Sequence, residues 1–346
     1  MTKDVVVLSA VRSAVGTFNG SLAGLEPSDL AGRVMKEAIA RSGVDAQSIN
    51  YVTVGNCIPT ESRFAYVARV ASIQAGLPME SVAMAVNRLC SSGLQAVVST
   101  AQSIMLGDCE YGIGGGVEVM SRGAYMLPAL RSGARMGNTP AIDMMVDTLT
   151  DPFGVGHMGI TAENLASKWG ISREEQDAIA VESHNRAQRA TEAGYFKDQI
   201  MPVMLKSKKG DVAYATDEHF RPNCSLADMA KLKPVFVKEN GTVTAGNASG
   251  LNDAAAAVVL MDAATAKARG LRTIELTDTL RAAEPGAFLL GDLRELFEPY
   301  SAPVESAEGT DRVFTSGTSR VRLSGSSIRI DSAGDSDIEL LRAGTA

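Results

Sequence analysis

Cys90 lies in the run Asn87, Arg88, Leu89, Cys90, Ser91, Ser92, Gly93, Leu94, directly after the apolar residues 82–86 and directly before an amphipathic pattern. A cysteine where a strand gives way to a helix faces the positive end of the helix macrodipole, beside backbone N–H groups with no partner inside the helix. Both features favour thiolate over thiol, and the thiolate is the nucleophilic form. Ser91, Ser92 and Gly93 are small enough to let a substrate carbonyl approach. The pattern marks Cys90 as a candidate covalent nucleophile for acyl transfer. The competing reading is a buried, inert thiol, the usual fate of a free cysteine.

The elements around Cys90 follow from periodicity. Leu94, Val97, Val98, Ala101, Ile104 and Met105 recur at three- and four-residue spacing, and Gly107 offers a helix stop. Before them, residues 5–10 read as a buried strand, 51–54 and 83–86 as strands, and 29–42 and 64–75 as helices closed by Gly43 and Gly76. Residues 112–120 form a further strand. Short apolar runs separated by single helices imply crossover connections, hence an α/β fold with a mostly parallel sheet covered on both faces.

Residues 121 to about 245 read as an insertion. A helix over 161–169 ends at Gly170. Ser172 and Glu175 then have the spacing of a capping box that opens a helix stopping near Gly194. Residues 206–236 read as loop, and 254–261 return to the core. From 271 to 346 there is no His, Cys, Asn, Lys, Gln or Met. There the runs 312–314, 320–323 and 328–330 alternate like strands of a small meander. A disordered tail and an out-of-frame translation fit that narrow composition equally.

Other candidate residues each have a plain structural alternative. The run Gly112, Ile113, Gly114, Gly115, Gly116, Val117 lacks the Gly-x-Gly-x-x-Gly spacing and opens no helix, so nucleotide binding is rejected there in favour of close backbone approach or tight packing. His157, flanked by Gly154, Gly156 and Gly159, leans toward a binding loop. His184 reads as a solvated side chain within a helix, and His219 has a weaker claim than His157. The small-residue run 244–253 suits a ligand tunnel or an ordinary turn into a strand.

Composition narrows the class. The 346 residues carry 33 basic and 40 acidic side chains, a net charge of −7, with no basic block or aromatic interleaving that suits nucleic acid. Cys57, Cys90, Cys109 and Cys224 are scattered, without metal-ligand or disulfide-framework spacing. No signal peptide or membrane span is expected, and the cytoplasm is the expected location.

Together these residues resemble the thiolase family, the acetyl-CoA C-acyltransferases of the β-ketothiolase type. The similarity runs from about residue 5 to 270 and rests on 87–93, on 114–121 (Gly-Gly-Gly-Val-Glu-Val-Met-Ser), on 157–164 (His-Met-Gly-Ile-Thr-Ala-Glu-Asn) and on 241–253. It implies a layered α-β-α-β-α architecture of two similar halves. Residues 1–120 and 245–270 would form the N-terminal domain, 121–244 the loop domain covering coenzyme A, and 271–346 a non-thiolase tail. By the same resemblance Cys90 takes an acyl group from acyl-CoA, its N–H helping to hold the oxyanion. His157 lines the pantetheine tunnel, Arg221 meets the adenine and phosphate end, and Phe236, Ala245 and Ser249 line the rest. No cofactor is implied beyond coenzyme A thioesters as substrates, and no nucleic-acid or membrane partner. Family members are dimers or tetramers, and 127–139 resembles the tetramerisation loop.

The chain departs from the family in its second half. Asn-Glu-Ala-Phe, Gly-His-Pro and Cys-x-Gly motifs are expected there, yet no Asn follows Asn252, no His follows His219 and no Cys follows Cys224. A truncated or frameshifted thiolase with impaired turnover is the expectation. The alternatives are an inactive coenzyme A-binding or subunit-interaction remnant, and a ketosynthase relative on the same fold.

Overall fold

The computed structural model describes residues 3–208, 210–274, 304–308, 311–316, 319–323, 327–331 and 338–341. The chain forms two units, residues 1–273 and 274–346. The main sheet of the first contains β1 (Val5–Ser13), β2 (Tyr51–Gly55), β3 (Val82–Val86), β4 (Tyr111–Val119), β5 (Ile200–Met201) and β6 (Asn252–Asp262). Their order is β5-β1-β6-β4-β2-β3, and Gly16–Thr17 adds a short seventh strand to β6.

The sheet is mixed, which corrects the expected mostly parallel one. β2 runs parallel to both β3 and β4, and β1 parallel to β5. β6 runs antiparallel to β1 and to β4, with Ala257 opposite Val11 and Gly115. Single-helix crossovers lead from β2 to β3 and from β3 to β4, which therefore run parallel. The long excursion before β6 imposes no such constraint, so the chain re-enters the sheet from the other end.

Two helices cover one face. Leu30, Val34, Met35 and Ala38 of α1 (Pro27–Ser42) and Val67, Ala68 and Ala71 of α2 (Val67–Gln74) are buried with Val52, Val54, Ile113 and Val119. The expected helix 64–75 is broken at its start, where Phe64–Tyr66 forms a 3₁₀ turn before α2. α3 (Ser92–Leu106) covers the other face and stops at Gly107, whose φ of 87° is left-handed as the sequence suggested. Ile104, Val97 and Ala101 pack toward Leu260 and Val258. The rest of the apolar pattern does not pack inward, since Leu94 and Leu106 remain 70% and 79% exposed and Val98 and Met105 are exposed too. The expected cover on both faces is thus one helix thick on this side, and that helix is apolar outward as well.

Glycines let α3 lie close. A Cβ on Gly55 would stand 2.5 Å from the Ser92 carbonyl carbon, and one on Gly114 would stand 2.6 Å from the Cα of Val97. Gly116 is less tightly placed, a Cβ there standing 3.2 Å from Gly55 O and 3.3 Å from Gly93 Cα. The glycine run in β4 is a helix-packing surface.

In the region after β4, α4 (Met158–Trp169) begins three residues before the expected start, because the His157 side chain caps it. α5 (Arg173–Glu192) carries the expected capping box of Ser172 and Glu175. Residues 206–236, expected as loop, contain a strand, Val212–Tyr214, paired with Val203–Leu205, and a short helix, Leu226–Met229. In the second unit Val304–Glu308, Asp311–Ser316, Ser319–Leu323, Ser327–Asp331 and Ile338–Leu341 form an antiparallel meander in chain order, containing the three runs expected as strands. Expectations for the remainder of 275–346 lie outside the described residues.

Gly114→Ala is expected to destabilise by about 1–3 kcal/mol, because the clash is with helix backbone rather than a movable side chain. Gly24→Ala, with nothing within 4 Å of the added carbon, is the control. Urea denaturation of both variants checks the close approach, which is wrong if their midpoints coincide.

Candidate active site

The ladder register brings three strand ends to one place. Gly55 pairs with Val86 on one side and Gly116 on the other, so the segments after β2, β3 and β4 leave the sheet together. Carboxyl ends of parallel strands are where α/β sheets place their ligands. The segment after β3 carries Cys90, which is exposed and lies just before Ser91, the N-cap of α3. This is the strand-to-helix junction expected from the sequence.

The turn is held in an unfavourable backbone conformation. Leu89 has φ 52°, a left-handed value rare for a bulky residue. Asn87 Oδ1 accepts from Leu89 N at 3.0 Å, a local Asx turn. Ser92 donates its hydroxyl to Leu89 O at 2.6 Å while accepting from Arg88 N at 2.8 Å. These bonds offset the strain, which is of the order of 1–3 kcal/mol for such a residue. They present Cys90 outward.

Behind the turn lies the segment after β2. Cys57 Sγ donates to Leu89 O at 2.9 Å and sits 3.2 Å from Ser92 Oγ, and Asn87 Nδ2 donates to Cys57 O at 3.1 Å. Burial pushes the Cys57 thiol up; the Ser92 hydroxyl opposes this and the Glu118 carboxylate adds to it. Glu118 accepts from Asn56 Nδ2 and Cys57 N, both at 2.8 Å, and from Ile58 N at 3.2 Å. Burial raises its pKa, and the N–H groups of Cys57 and Ile58 pull the other way. Sequence reasoning missed Asn56, Cys57 and Glu118. The Asx turn at Asn87 was legible from spacing, whereas the other three meet Cys90's turn only through strand register.

A separate cavity of about 510 Å³ is lined by residues that include Phe18, Met120, Ser121, Leu149, His157 and Ser249. The expected residues His157 and Ser249 therefore share a wall. Phe236 joins them, its ring stacked on His157 at 4.8 Å between centroids and 21° between planes. Gly159 lies so close under Phe236 that a Cβ there would enter the ring. His157 Nδ1 accepts from Gly159 N at 3.1 Å, which leaves Nε2 as the nitrogen carrying the hydrogen in a neutral ring.

Arg221 is placed elsewhere. Its N–H donates to His184 Nδ1 at 3.1 Å, and the His184 ring faces His219 at 6.3 Å. His184 is half-buried, which corrects its reading as a solvated side chain; burial, then the charges of His219 and Arg221, lowers its pKa. His219 in turn lies over Gly250, next to Ser249. Ala245 is exposed beside buried Thr244, in a turn closed by Asn247 Oδ1 and Thr244 N at 2.7 Å.

Carboxylates fasten this region. Glu163 of α4 accepts from Thr242 N and Oγ1 and from Val243 N at 2.9–3.0 Å, and Asp177 of α5 accepts from Asn247 Nδ2 at 2.9 Å. Desolvation opposes the charge on Glu163, but the Val243 and Thr242 donors outweigh it and hold its pKa below the ordinary value. Asp253 accepts from Ser121 N and Oγ, and Asp217 forms a two-pronged pair with Arg12 at 2.8 and 3.0 Å. Among the described residues no group of three or more His, Cys, Asp or Glu is placed to hold a metal ion, and no helix is long and apolar enough to cross a membrane.

Comparison with known proteins places these features in context. The sequence pattern described as "Thiolase, N-terminal domain" matches residues 5–264. Beta-ketothiolase BktB of Cupriavidus necator is 56% identical over 274 residues, covering 79% of this chain and 70% of that protein. An acetyl-CoA acetyltransferase of Chromobacterium violaceum is 41% identical over 314 residues, covering 90% of this chain and 80% of that one. The crystal structure of human mitochondrial 3-ketoacyl-CoA thiolase in complex with CoA superimposes with a TM-score of 0.74 at 37% identity, over 78% of this chain and 68% of that chain.

Iodoacetamide at pH 8 is expected to modify Cys90 before the other thiols. Burial raises the pKa of Cys57, takes Cys109 up to about 11 with help from Asp108, and raises Cys224, while Cys90 is exposed. Peptide mass mapping decides it; equal rates at all four would contradict the geometry. Glu163 gives a pH test. Its depressed folded pKa means its stabilisation is complete above the ordinary carboxylate value of about 4.3 and is lost as pH falls through the lower folded value. Glu163→Gln is expected to melt lower at pH 7 and to show a shallower acid decline, measured by thermal melts from pH 7 to 3.

Proposed function

The chain belongs to the thiolase family, and from that premise we propose that it is an acyltransferase whose Cys90 accepts an acyl group from an acyl-CoA. The observation that carries the proposal is the exposed Cys90 on a strained, hydrogen-bonded turn at the start of α3. The thiolate attacks the thioester carbonyl, the tetrahedral oxyanion meets backbone N–H at the helix start, and the C–S bond to coenzyme A breaks to release its thiolate, which takes a proton from water. The shared wall of His157 and Ser249, with Phe236 stacked on His157, supports assigning the cavity to the pantetheine arm. Arg221 then meets phosphate, and Ala245 borders the same path. In this assignment residues 1–120 and 245–270 are the catalytic domain, 121–244 cover coenzyme A, and 271–346 are not thiolase sequence. The longer alignment with the Chromobacterium violaceum relative reaches past residue 273, but the chain there has no His, Cys or Asn to supply the missing motifs.

Turnover is proposed to be impaired. All three histidines lie between residues 157 and 219, and His157 and His184 each accept a backbone N–H through Nδ1. General acid–base assistance is typically worth about 10²–10⁴-fold. The helix dipole supplies only about 0.3–1 kcal/mol near a surface. A second reading, an inactive coenzyme A-binding remnant, is favoured by a cavity region that persists without the acid–base motifs. We assign the working form to a homodimer or homotetramer in the cytoplasm, acting in fatty acid metabolism. The exposed outer side of α3 and the edge strand β3, with Val82 55% exposed, support further protein contacts.

Incubation with acetyl-CoA is expected to add one acetyl group to Cys90, seen by intact mass, and none to Cys90→Ala. Thiolysis of acetoacetyl-CoA is expected to be slow but above that control. Acetylation absent with coenzyme A still bound supports the remnant; neither event removes both readings.

A further inference from the structure

We propose that Glu118 and Cys57 are positioning residues for Cys90, Glu118 anchoring the 56–58 segment and Cys57 donating its S–H to the Leu89 carbonyl that precedes the nucleophile. The inference rests on the reading of Cys90 as nucleophile and extends it to the groups behind.

The connections form one continuous path. The Glu118 carboxylate stands at the end of β4, within the sheet, and no Lys or Arg bonds to it among the described residues. Its partners are three N–H donors from consecutive residues, Asn56, Cys57 and Ile58, and Asn56 Nδ2 also donates to Val117 O at 3.0 Å. Burying a carboxylate without a cation is costly unless donors compensate it, so the 56–58 segment is bound tightly where it leaves β2. That segment meets Cys90's turn at three atoms. Cys57 O accepts from Asn87 Nδ2, and Cys57 Sγ touches both Leu89 O and Ser92 Oγ.

Leu89 O is the centre of the turn. It accepts from the Ser92 hydroxyl, from Ser92 N at 2.9 Å and from the Cys57 thiol. Leu89 is also the residue with the left-handed φ, so the donors on its carbonyl hold the peptide that leads into Cys90. Cys57 must keep its proton to donate, and burial with the nearby Glu118 charge favours the protonated thiol. One cysteine is thereby kept as a donor while the adjacent one is presented as the reactive thiol.

The test reads Cys90 alkylation by iodoacetamide in the full-length chain, as the rate of modification of the Cys90 peptide from pH 7 to 10. Cys57→Ala is expected to slow it roughly tenfold, the scale of one lost hydrogen bond. Cys57→Ser, which keeps a donor, is expected to restore it to within about threefold of the parent. Glu118→Gln is expected to slow it too, and Cys57→Ala added to Glu118→Gln is expected to slow it less than the product of the single effects, since both act through one segment. A purely structural role would lower the melting temperature of these variants and leave the Cys90 rate and its pH profile unchanged. That result, a faster rate, or failure of Cys57→Ser to rescue, would overturn the proposal. If acetyl-CoA does not acylate the parent while the alkylation pattern holds, the proposed function fails and the positioning role stands.

Discussion

The closeness of α3 to the sheet is the constraint on which Cys90's placement depends. Gly55 and Gly114 each leave room that a single Cβ would fill, and the obstructing atoms are the backbone of residues 92–97. Backbone cannot rotate aside as a flexible side chain can, so this distance is set by the absence of two carbon atoms. With α3 seated, its first turn lies against the end of β2, and the peptide entering it must bend sharply at Leu89.

That bend explains why so many polar groups gather behind a residue whose own side chain faces solvent. A left-handed leucine persists only when its surroundings over-determine it. Asn87, Ser92 and Cys57 do so from three directions, and Glu118 secures the segment that carries Cys57. Rigid presentation of a nucleophile matters because small misplacements are costly in rate. The thiol and its support come from three strand ends that the ladder register aligns.

The region between β4 and β6 uses a different device. It has few fully buried apolar side chains and is tied to itself and to the sheet by carboxylates, Glu163 on Thr242 and Val243, Asp177 on Asn247, Asp217 on Arg12 and Asp253 on Ser121. Ties of this kind fix geometry without a large core. The cavity beside His157 and Ser249 lies among them. The outward apolar residues of α3, Leu94 and Leu106 above all, are exposed.

By itself the sequence determined the local features: Cys90 at a strand-to-helix junction, the stop at Gly107, the capping box at Ser172 and the family motifs that point to acyl transfer. These depend on neighbours within a few residues, where periodicity and turn chemistry act. Only the tertiary structure decided the antiparallel entry of β6, the early start of α4 capped by His157, and the half-buried place of His184 against Arg221. It alone brought Glu118 and Cys57 behind Leu89, because contacts across 61 residues for Cys57 with Glu118 and 32 for Cys57 with Leu89 follow from strand register. Hydrophobic spacing specifies which face of a strand is buried; which strand ends meet is settled only when the sheet closes.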